Sequence, residues 1–268
     1  MSNVYFCSFA DARFKPALKR IEQEASSFNL FKEIFIYTEN EIDISFKTKY
    51  KDKLHSKCRG FGYWIWKPYI ILKSLNRISE GDLLVYTDAG TVLNINGKEK
   101  LCNYLKTVEN SEYGRMCNDG YPLLLEKDWT KGDLFDYFNV RDDSMIYNTV
   151  QRGAGVFIIK KNIDNINFVA RWLKVFEDNF SLIDDTPSNS PNFDGFKENR
   201  HDQSVLSILS KIHGIELIPE KDVSCWDGNW DNLSDSPFLF KRLKQMTFRY
   251  RLLNLYKKFC KYLFWKVK

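Results

Sequence analysis

The acidic residue with the clearest setting for chemistry is Asp88. It ends a run of apolar and β-favouring residues, Gly81 to Thr87, and is followed by the small residues Ala89 and Gly90. Such a run is typical of a central strand in a parallel sheet, and parallel sheets bind ligands beyond the carboxyl ends of their strands. A carboxylate at this position suits the binding of a hydroxyl group or a divalent cation. The two small residues would let a bulky ligand approach the backbone.

A second acidic group lies far along the chain, where His201, Asp202 and Gln203 precede the apolar run 205–209. The pattern predicts a helix with these three polar side chains in or beside its first turn. Asp202 then has two interpretations. It either acts in a site, or it only provides a favourable negative charge at the start of a helix.

Two cations, Arg59 and Lys67, flank a short segment that contains two glycines and several aromatic residues. Pro68 suits the first turn of a helix that runs to about residue 75, and the start of a helix is a favourable place for phosphate groups. The aromatic residues Tyr63 and Trp66 either stack on a ligand or pack in the core. The two cations are harder to explain by packing alone.

The elements that must position these residues alternate between strands and helices. The sequence predicts strands at 3–9, 33–37, 81–90, 113–117, 152–161 and 215–218, and helices at 12–28, 68–75, 96–108, 131–139, 162–180 and 201–209. An opening strand, helix and strand favour a doubly wound nucleotide-binding sheet. The turn after the first strand, Ser8 to Asp11, contains no glycine, which argues against an NAD or FAD site.

Two further segments have the composition of binding elements. Gly153, Ala154 and Gly155 open the strand predicted at 152–161 and would let a ligand pass close to the backbone, although a bulge has the same pattern. The polar stretch 184–199 is rich in Pro, Ser and Asn, and loops of this length are usually functional in a compact domain. We expect it to act as a lid or to bind an acceptor.

Length and composition favour one large α/β domain followed by a tail. The chain has 268 residues and no internal repeat or low-complexity linker. Its six cysteines show no Cys-x-x-Cys spacing, so neither a zinc site nor a disulfide framework is indicated. The first apolar run, 4–9, is too short for a signal peptide or a membrane span, so we expect a cytoplasmic protein.

Charge is distributed unevenly along the chain. Residues 241–268 contain 10 Lys or Arg and no Asp or Glu, which leaves 30 basic and 35 acidic residues before them. The acidic body argues against nucleic acid as a partner. The basic segment predicts an amphipathic helix that binds an anionic membrane surface, and the alternative is a helix packed on the body. We therefore divide the chain into a domain at 1–235 and a tail at 236–268.

Several of these motifs together resemble a known family. The segments Gly62 to Tyr69 and Tyr86 to Gly90 resemble bacterial GT-A glycosyltransferases of lipopolysaccharide O-antigen and capsule synthesis. The segment His201 to Leu206 is similar to the Asp-Gln-Asp-(Ile/Val)-Leu-Asn segment of retaining, family-8-like galactosyltransferases. The resemblance covers residues 1–235 and implies a GT-A fold, which is a Rossmann-like mixed sheet flanked by helices.

The resemblance also implies a metal question. Asp88 corresponds to the first carboxylate of the family's Asp-x-Asp motif, which touches the ribose and the metal, whereas Gly90 stands where the second carboxylate would be. A bound Mn²⁺ or Mg²⁺ would need another ligand, for which His201 and Asp227 are candidates. The alternative is that cations such as Arg59 and Lys67 take over the task of the metal.

The remaining site residues follow from the same resemblance. Asp202 would hold hydroxyl groups of the donor sugar, and Gln203 would lie near the anomeric carbon. The diphosphate would meet Arg59 and Lys67. The other positions that we expect to bind the nucleotide sugar are Phe9, Ala10, Thr38, Tyr63, Trp66, Ala89, Gly90, Gly153, Ala154 and Gly155.

The sequence thus predicts a hexosyltransferase on the cytoplasmic face of the cell membrane. It would transfer galactose or glucose, with retention, from a UDP-linked donor to a lipid-linked or oligosaccharide acceptor of bacterial surface polysaccharide. A sugar nucleotidyltransferase is an alternative with a similar sheet, but its usual glycine-rich loop with Lys or Arg is missing from residues 8–13. A non-enzymatic carbohydrate-binding module at the membrane is a second alternative, and it predicts no nucleotide binding.

Overall fold

The fold is known from a computed structural model that describes residues 2–225 and 228–243. Its strands are β1 (Val4–Phe9), β2 (Glu33–Tyr37), β3 (Leu83–Thr87), β4 (Val92–Leu93), β5 (Arg115–Asn118), β6 (Val156–Lys160), β7 (Glu216–Ile218) and β8 (Phe238–Leu239). Six of them form one sheet in the order β2-β1-β3-β6-β5-β7, and β4 pairs with β8. Because β6 is antiparallel to both β3 and β5, it runs opposite to the other five strands of the sheet.

The helices lie on both faces of this sheet. They are α1 (Lys15–Ser27), α2 (Ile44–Lys49), α3 (Gly60–Tyr63), α4 (Trp66–Leu75), α5 (Lys98–Asn110), α6 (Gly132–Tyr137), α7 (Ser144–Tyr147), α8 (Ile163–Asp178) and α9 (Asp202–His213). Side chains from α4, α8 and α9 form one core with one face of the sheet, and those of α1 and α5 form a second core with the other face. The molecule therefore has three layers.

Strand β3 shows why the sheet is central. All five of its residues are buried. Leu84 and Tyr86 belong to the core beneath α4, whereas Leu83 and Val85 belong to the core beneath α1, as the two-residue period of a strand requires. The predicted fold class, a Rossmann-like mixed α/β sheet flanked by helices, is confirmed for the described residues.

Most predicted elements are present with shifted ends. The strand predicted at 81–90 is β3 at Leu83–Thr87, and the one predicted at 152–161 is β6 at Val156–Lys160. Helix α4 begins at Trp66, two residues before the predicted start at Pro68. The short elements α2, α7, β4 and β8 were not predicted, because runs of two to six residues carry too little periodicity.

The segment predicted as a tail begins against the body. Within it, β8 pairs with β4, and the backbone N–H of Leu243 donates to the carbonyl of Gly90 at 3.0 Å. The predicted basic amphipathic helix falls mainly on 244–268, outside the described residues, so its membrane binding stays a prediction. Among the described helices, none is long and apolar enough to cross a membrane.

Candidate active site

Asp88 directly follows β3, at the carboxyl end of the strand, as the sequence predicts. Its backbone N–H donates to the carbonyl of Gly155 at 2.9 Å, which ties it to the start of β6. The hydroxyl of Tyr86 donates to its Oδ1 at 2.5 Å. Burial and the neighbouring carboxylate raise the pKa of Tyr86 well above its usual value, so this hydroxyl keeps its proton. The side chain of Asp88 itself is 41% exposed.

Lys67 joins the two acidic groups that are distant in sequence. Its ammonium lies 2.7 Å from Oδ2 of Asp202 and 3.2 Å from Oδ1 of Asp88, and it donates to the carbonyl of Ala154 at 3.1 Å. Lys67 is buried, and burial alone would lower its pKa. The two carboxylates outweigh burial and raise the pKa above its usual value, so Lys67 is a cation at neutral pH.

Asp202 is the buried member of this cluster. Burial raises the pKa of its carboxyl group to about 6, the charge of Lys67 opposes that shift, and the charge of Asp88 adds to it. The contact to Lys67 is an ion pair without the alignment of a hydrogen bond. The indole N–H of Trp172 donates to the Asp202 carbonyl at 3.0 Å and fixes the start of α9. Asp202 therefore belongs to a charged cluster and is more than a charge at a helix start.

Gln203 follows Asp202 in the first turn of α9. Its side-chain Nε2 donates to Oε1 of Gln151 at 2.8 Å. Gln151 is buried and lies just before the small residues 153–155. Gln151 is not predicted from the sequence, because a single amide in a loop has no pattern that distinguishes it.

A left-handed turn places Lys67. All five residues from Gly60 to Trp64 have positive φ angles. The left-handed backbone conformation costs an L-residue about 1–2 kcal/mol, and three of these five residues are not glycine. A Cβ on Gly60 would lie 2.4 Å from the ring of Trp64, so a side chain is excluded there. The indole of Trp66 donates to the Gly60 carbonyl at 2.9 Å and closes the turn onto α4. Strained backbone of this kind is concentrated at functional sites.

The C-terminal segment packs on the residues that follow Asp88. A Cβ on Gly90 would lie 3.5 Å from the Cα of Arg242. The buried guanidinium of Arg20 donates to the carbonyl of Ala89 at 2.6 Å and to that of Leu243 at 3.3 Å, which clamps the segment in place. Gly90 therefore lies beneath the backbone of a cationic residue.

The described residues do not supply the donor set for a divalent cation. In the described ranges 2–225 and 228–243, no three His, Cys, Asp or Glu side chains are placed to hold a metal ion, and Asp227 lies outside these ranges. The Nδ1 of His201 donates to the carbonyl of Ile183 at 2.5 Å, and its ring stacks on Trp64. Burial lowers the pKa of His201. The Oδ1 of Asp88 already holds a hydroxyl and an ammonium.

Arg59 and Tyr63 lie beside His201, the residue before Asp202, Arg59 through its partner Asp185 and Tyr63 through its ring. The guanidinium of Arg59 is 45% exposed and pairs with Asp185 at 2.9 Å and Glu198 at 3.5 Å. Tyr63 is half-buried, with its ring 5.0 Å from that of His201. Both predicted cations are thus held by carboxylates, Arg59 by Asp185 and Glu198, and Lys67 by Asp88 and Asp202. Their predicted contact with a diphosphate stays a prediction.

The small residues before β6 make room for protein side chains. A Cβ on Gly153 would lie 1.9 Å from Nδ2 of Asn118, and one on Gly155 would lie 3.0 Å from the ring of Phe240. Ala154 is buried and offers its carbonyl to Lys67. Close packing therefore accounts for these residues without a ligand, and their predicted role in the approach of the sugar is not needed to explain them.

A cavity lies beyond the carboxyl ends of β1 and β2. The predicted residues Phe9 and Ala10 are buried, and the ring of Phe9 stacks on Trp66 at 4.2 Å. The hydroxyl of Thr38 donates to Glu41. The residues that follow these strands line a cavity of about 460 Å³ with seven residues from the segment 42–61. The lining residues are Asp11, Ala12, Arg13, Glu39, Asn40, Ile42, Lys47, Lys51, Leu54, His55, Ser56 and Phe61.

The polar stretch 184–199 is tethered to α6. The carboxylate of Asp133 accepts the backbone N–H groups of Asn189 at 2.8 Å and Ser190 at 2.6 Å. The ammonium of Lys131 donates to the Ser181 carbonyl at 2.7 Å and lies 3.5 Å from Asp184. A role as lid or acceptor-binding segment stays a prediction, and any movement would have to break these contacts.

The sequence matches no family model and no curated protein. Among solved structures, the chain is similar to a glycosyltransferase involved in the glycosylation of the major capsid of PBCV-1, at 10% identity over 88% of this chain and 91% of that one, with a TM-score of 0.49. It is also similar to mouse xyloside xylosyltransferase 1 (8% identity, 91% and 95% of the two chains, TM-score 0.45). A third similar structure is the galactosyltransferase LgtC in complex with donor and acceptor sugar analogues (12% identity, 88% and 86%, TM-score 0.43). These similarities concern the course of the chain and not its activity.

Proposed function

We propose that this chain is a glycosyltransferase that moves a hexose from a UDP-linked donor to a saccharide acceptor. The observation that carries the proposal is the cluster of Asp88, Lys67 and Asp202 beside Gln203, at the edge where the parallel strands end. Two carboxylates held by one buried ammonium provide charged acceptors for hydroxyl groups, and such hydrogen bonds are the strong ones. Ligands of open α/β sheets bind at this edge.

The cavity beyond β1 and β2 suits the nucleoside part of the donor. Its volume of about 460 Å³ lies within the range of small-molecule sites. Glu39 lines it with a carboxylate of which one oxygen accepts the backbone N–H of Ala12, leaving the other for ribose or base, and Phe61 offers an aromatic face. Strand β1 is the parallel neighbour of β3, so the cavity and Asp88 share one edge of the sheet.

The leaving group needs positive charge near it. When the bond between the sugar C1 and the phosphate oxygen breaks, the electron pair stays on the diphosphate. Because Lys67 is enclosed by carboxylates, we assign this task to Arg242 and Arg200. Burial lowers the pKa of Arg200, Glu198 opposes that shift, and the like charge of Arg242 adds to it. A bound diphosphate would relieve the repulsion between the two guanidinium groups.

The sugar itself would lie between the cluster and Gln203. Asp202 accepts its hydroxyl groups, and the side-chain oxygen of Gln203 stabilises the positive charge that develops at C1. The acceptor hydroxyl forms the new bond to C1 and its proton passes to the departing diphosphate. Attack from the face that the leaving group vacates gives retention of configuration.

We further propose that the acceptor is a lipid-linked or oligosaccharide precursor of bacterial surface polysaccharide, handled at the cytoplasmic face of the membrane. The support for this is the composition of residues 244–268, which contain eight Lys or Arg and no Asp or Glu. In basic amphipathic segments, each Lys or Arg near the surface of an anionic membrane contributes about 1 kcal/mol to the binding free energy.

Calorimetric titration of the protein with UDP, GDP, CMP and dTDP, each with Mn²⁺ and with EDTA, tests the proposal. We expect UDP to bind best and to bind in EDTA as well, because we assign the neutralisation of the diphosphate to Arg242 and Arg200. Binding only with Mn²⁺ would leave the transferase standing and overturn the assignment of Arg242 and Arg200. If none of the four nucleotides binds, the transferase proposal is wrong and a carbohydrate-binding module is favoured.

A further inference from the structure

We propose that Gln151 is a positioning residue that turns the side-chain oxygen of Gln203 toward the reacting sugar. The inference rests on the proposed function and concerns a residue outside the motifs of the sequence. Gln151 is 1% exposed and reaches Gln203 through one hydrogen bond of 2.8 Å. Its own direction is set by the groups behind it.

The chemistry of its partners fixes which end of the Gln151 amide points inward. Its Nε2 lies 3.0 Å from Oε1 of Glu126 and 3.0 Å from the carbonyl oxygen of Trp129. A carboxylate and a backbone carbonyl only accept hydrogen bonds. The NH₂ end must therefore face them, which leaves Oε1 of Gln151 pointing outward.

This direction is passed on to the next amide. Because Oε1 of Gln151 is an acceptor, Gln203 must present its NH₂ to it, and the Oε1 of Gln203 points the other way. Within residues 2–225 and 228–243, no group donates a hydrogen bond to that Oε1. The half-buried Gln203 thus carries an acceptor that is available to a ligand.

The hydrogen bonds that run from Gln203 through Gln151 end at the buried ion pair of Glu126 and Lys211, which keeps the Glu126 carboxylate from rotating. Glu126 is fully buried, and its Oε2 lies 2.7 Å from the ammonium of Lys211. The Oε1 of Glu126 accepts the hydroxyl of Thr130 at 2.7 Å as well as the amide of Gln151. Burial lowers the pKa of Lys211 while Glu126 opposes that shift. With both oxygens engaged, Glu126 cannot offer Gln151 an alternative arrangement.

The direction of the Gln203 amide decides the sign of its interaction with the sugar. A carbonyl oxygen carries partial negative charge and stabilises an oxocarbenium-like C1, whereas an NH₂ group in its place would oppose the same charge. The buried pair of Glu126 and Lys211 therefore acts on catalysis through Gln151, without touching the substrate.

The replacement Gln151→Met tests this with little change of volume. We expect kcat to fall by about tenfold to hundredfold, the size of effect that a misplaced group produces, while the Kd for UDP changes by less than about twofold. An unchanged kcat would overturn the proposal. An equal loss of UDP affinity and of kcat would also overturn it, because a general structural defect would affect both.

A second variant keeps the inference testable if Gln151→Met does not fold. In Gln203→Glu, an ionised carboxylate faces the oxygen of Gln151, whereas a protonated one donates its O–H to it as the native amide does. The activity of Gln203→Glu relative to the native protein should therefore rise as the pH falls. A ratio that does not change with pH contradicts the proposal.

One measurement is independent of the transferase activity. The side-chain NH₂ protons of Gln203 should be protected from exchange in the native protein, because one of them is bonded to Gln151. Their protection should be lost in Gln151→Met, and unprotected protons in the native protein would overturn the relay. A native protein with protected amide protons that binds no nucleoside diphosphate would instead refute the proposed function alone.

Discussion

The ammonium nitrogen of Lys67, on α4, lies 2.7 Å from Oδ2 of Asp202, at the start of α9, and both side chains are almost fully buried. Forming such a pair requires two charges to leave water, so it contributes little net stability. Removing one partner is far more costly, since it leaves a buried charge without compensation. The pair therefore fixes the position of Asp202 beside Asp88.

Replacement of Lys67 by Met should cost about 3–5 kcal/mol in the free energy of unfolding, because two carboxylates would then face each other without a cation. Urea unfolding followed by fluorescence measures this. The matched control is Lys73→Met on the same helix, where the ion pair to Asp43 is exposed and should be worth less than about 1 kcal/mol. Equal changes in both variants would contradict the assigned role of Lys67.

The variant Asp88→Asn should keep the fold and lose transfer. The Asn oxygen can still accept the hydroxyl of Tyr86, so the unfolding transition should stay cooperative. We expect kcat/KM to fall by at least about 100-fold, since a charged group at the reacting edge is lost. Steady-state kinetics on a soluble acceptor measures this, and an unchanged turnover removes Asp88 from the site.

The pH dependence of transfer should report Asp202. Because the pKa of its carboxyl group is raised to about 6, kcat/KM should fall below that pH as the carboxylate is protonated and its pair with Lys67 weakens. In Asp202→Asn the remaining activity should lack this acidic limb. A native profile that is flat down to pH 5 would show that the carboxylate is not required.

The raised pKa of Asp202 also makes the free energy of unfolding depend on pH, and here the contribution of Asp202 falls as the pH rises. The folded protein keeps a proton on Asp202 that the unfolded chain loses near its ordinary pKa of about 3.9. The stability that this proton contributes is fully present below pH ~4 and is lost as the pH rises toward about 6. The difference in unfolding free energy between the native protein and Asp202→Asn should therefore vary between these two pH values and be constant above them.

The variant Arg242→Gln should weaken UDP binding in EDTA by about tenfold or more, the cost of one lost hydrogen bond to a charged group. The neighbouring Lys241→Gln is a close control, because the ammonium of Lys241 lies over the ring of Trp230, 5.1 Å from its centre. Calorimetry with UDP and with uridine separates the diphosphate contribution from the base. Equal UDP affinities in both variants would exclude Arg242 from the site.

A truncation after Leu243 should separate membrane binding from catalysis. It keeps β8 and the clamp that Arg20 forms on the segment, so turnover on a short soluble acceptor should be unchanged. Sedimentation with anionic vesicles should fall, and more strongly at low ionic strength, because the attraction is electrostatic. Equal sedimentation of both proteins would end the proposal of a membrane-binding tail.

The order of strands and helices was readable from the sequence, because long amphipathic helices and fully apolar strands carry strong periodic signals. For example, the sequence predicts strand β3 and its end just before Asp88. The two-residue ladder of β4 with β8 was not readable, and the part of the predicted tail that forms it belongs to the packed body. Pairing over such a distance in the chain depends on contacts that no local pattern encodes.

The site shows the same division. The residue types at Asp88, Asp202 and Gln203 indicate acidic and polar chemistry at two places, and Lys67 is a cation that packing alone does not explain. The structure pairs Lys67 with the carboxylates of Asp88 and Asp202, whereas the sequence predicts that it binds a phosphate group. A buried ammonium must be compensated by the nearest carboxylates, and which carboxylates are nearest is decided only when α4 and α9 pack together.

The sequence by itself determined which segments are strands or helices and which side chains can accept or donate, since both are local properties of the chain. The tertiary structure alone decided that Gly90 lies under Arg242, that Arg59 is engaged by Asp185, and that Gln203 donates to Gln151. Each of these facts depends on the distance between atoms far apart in sequence, and such distances are fixed only when the core has packed.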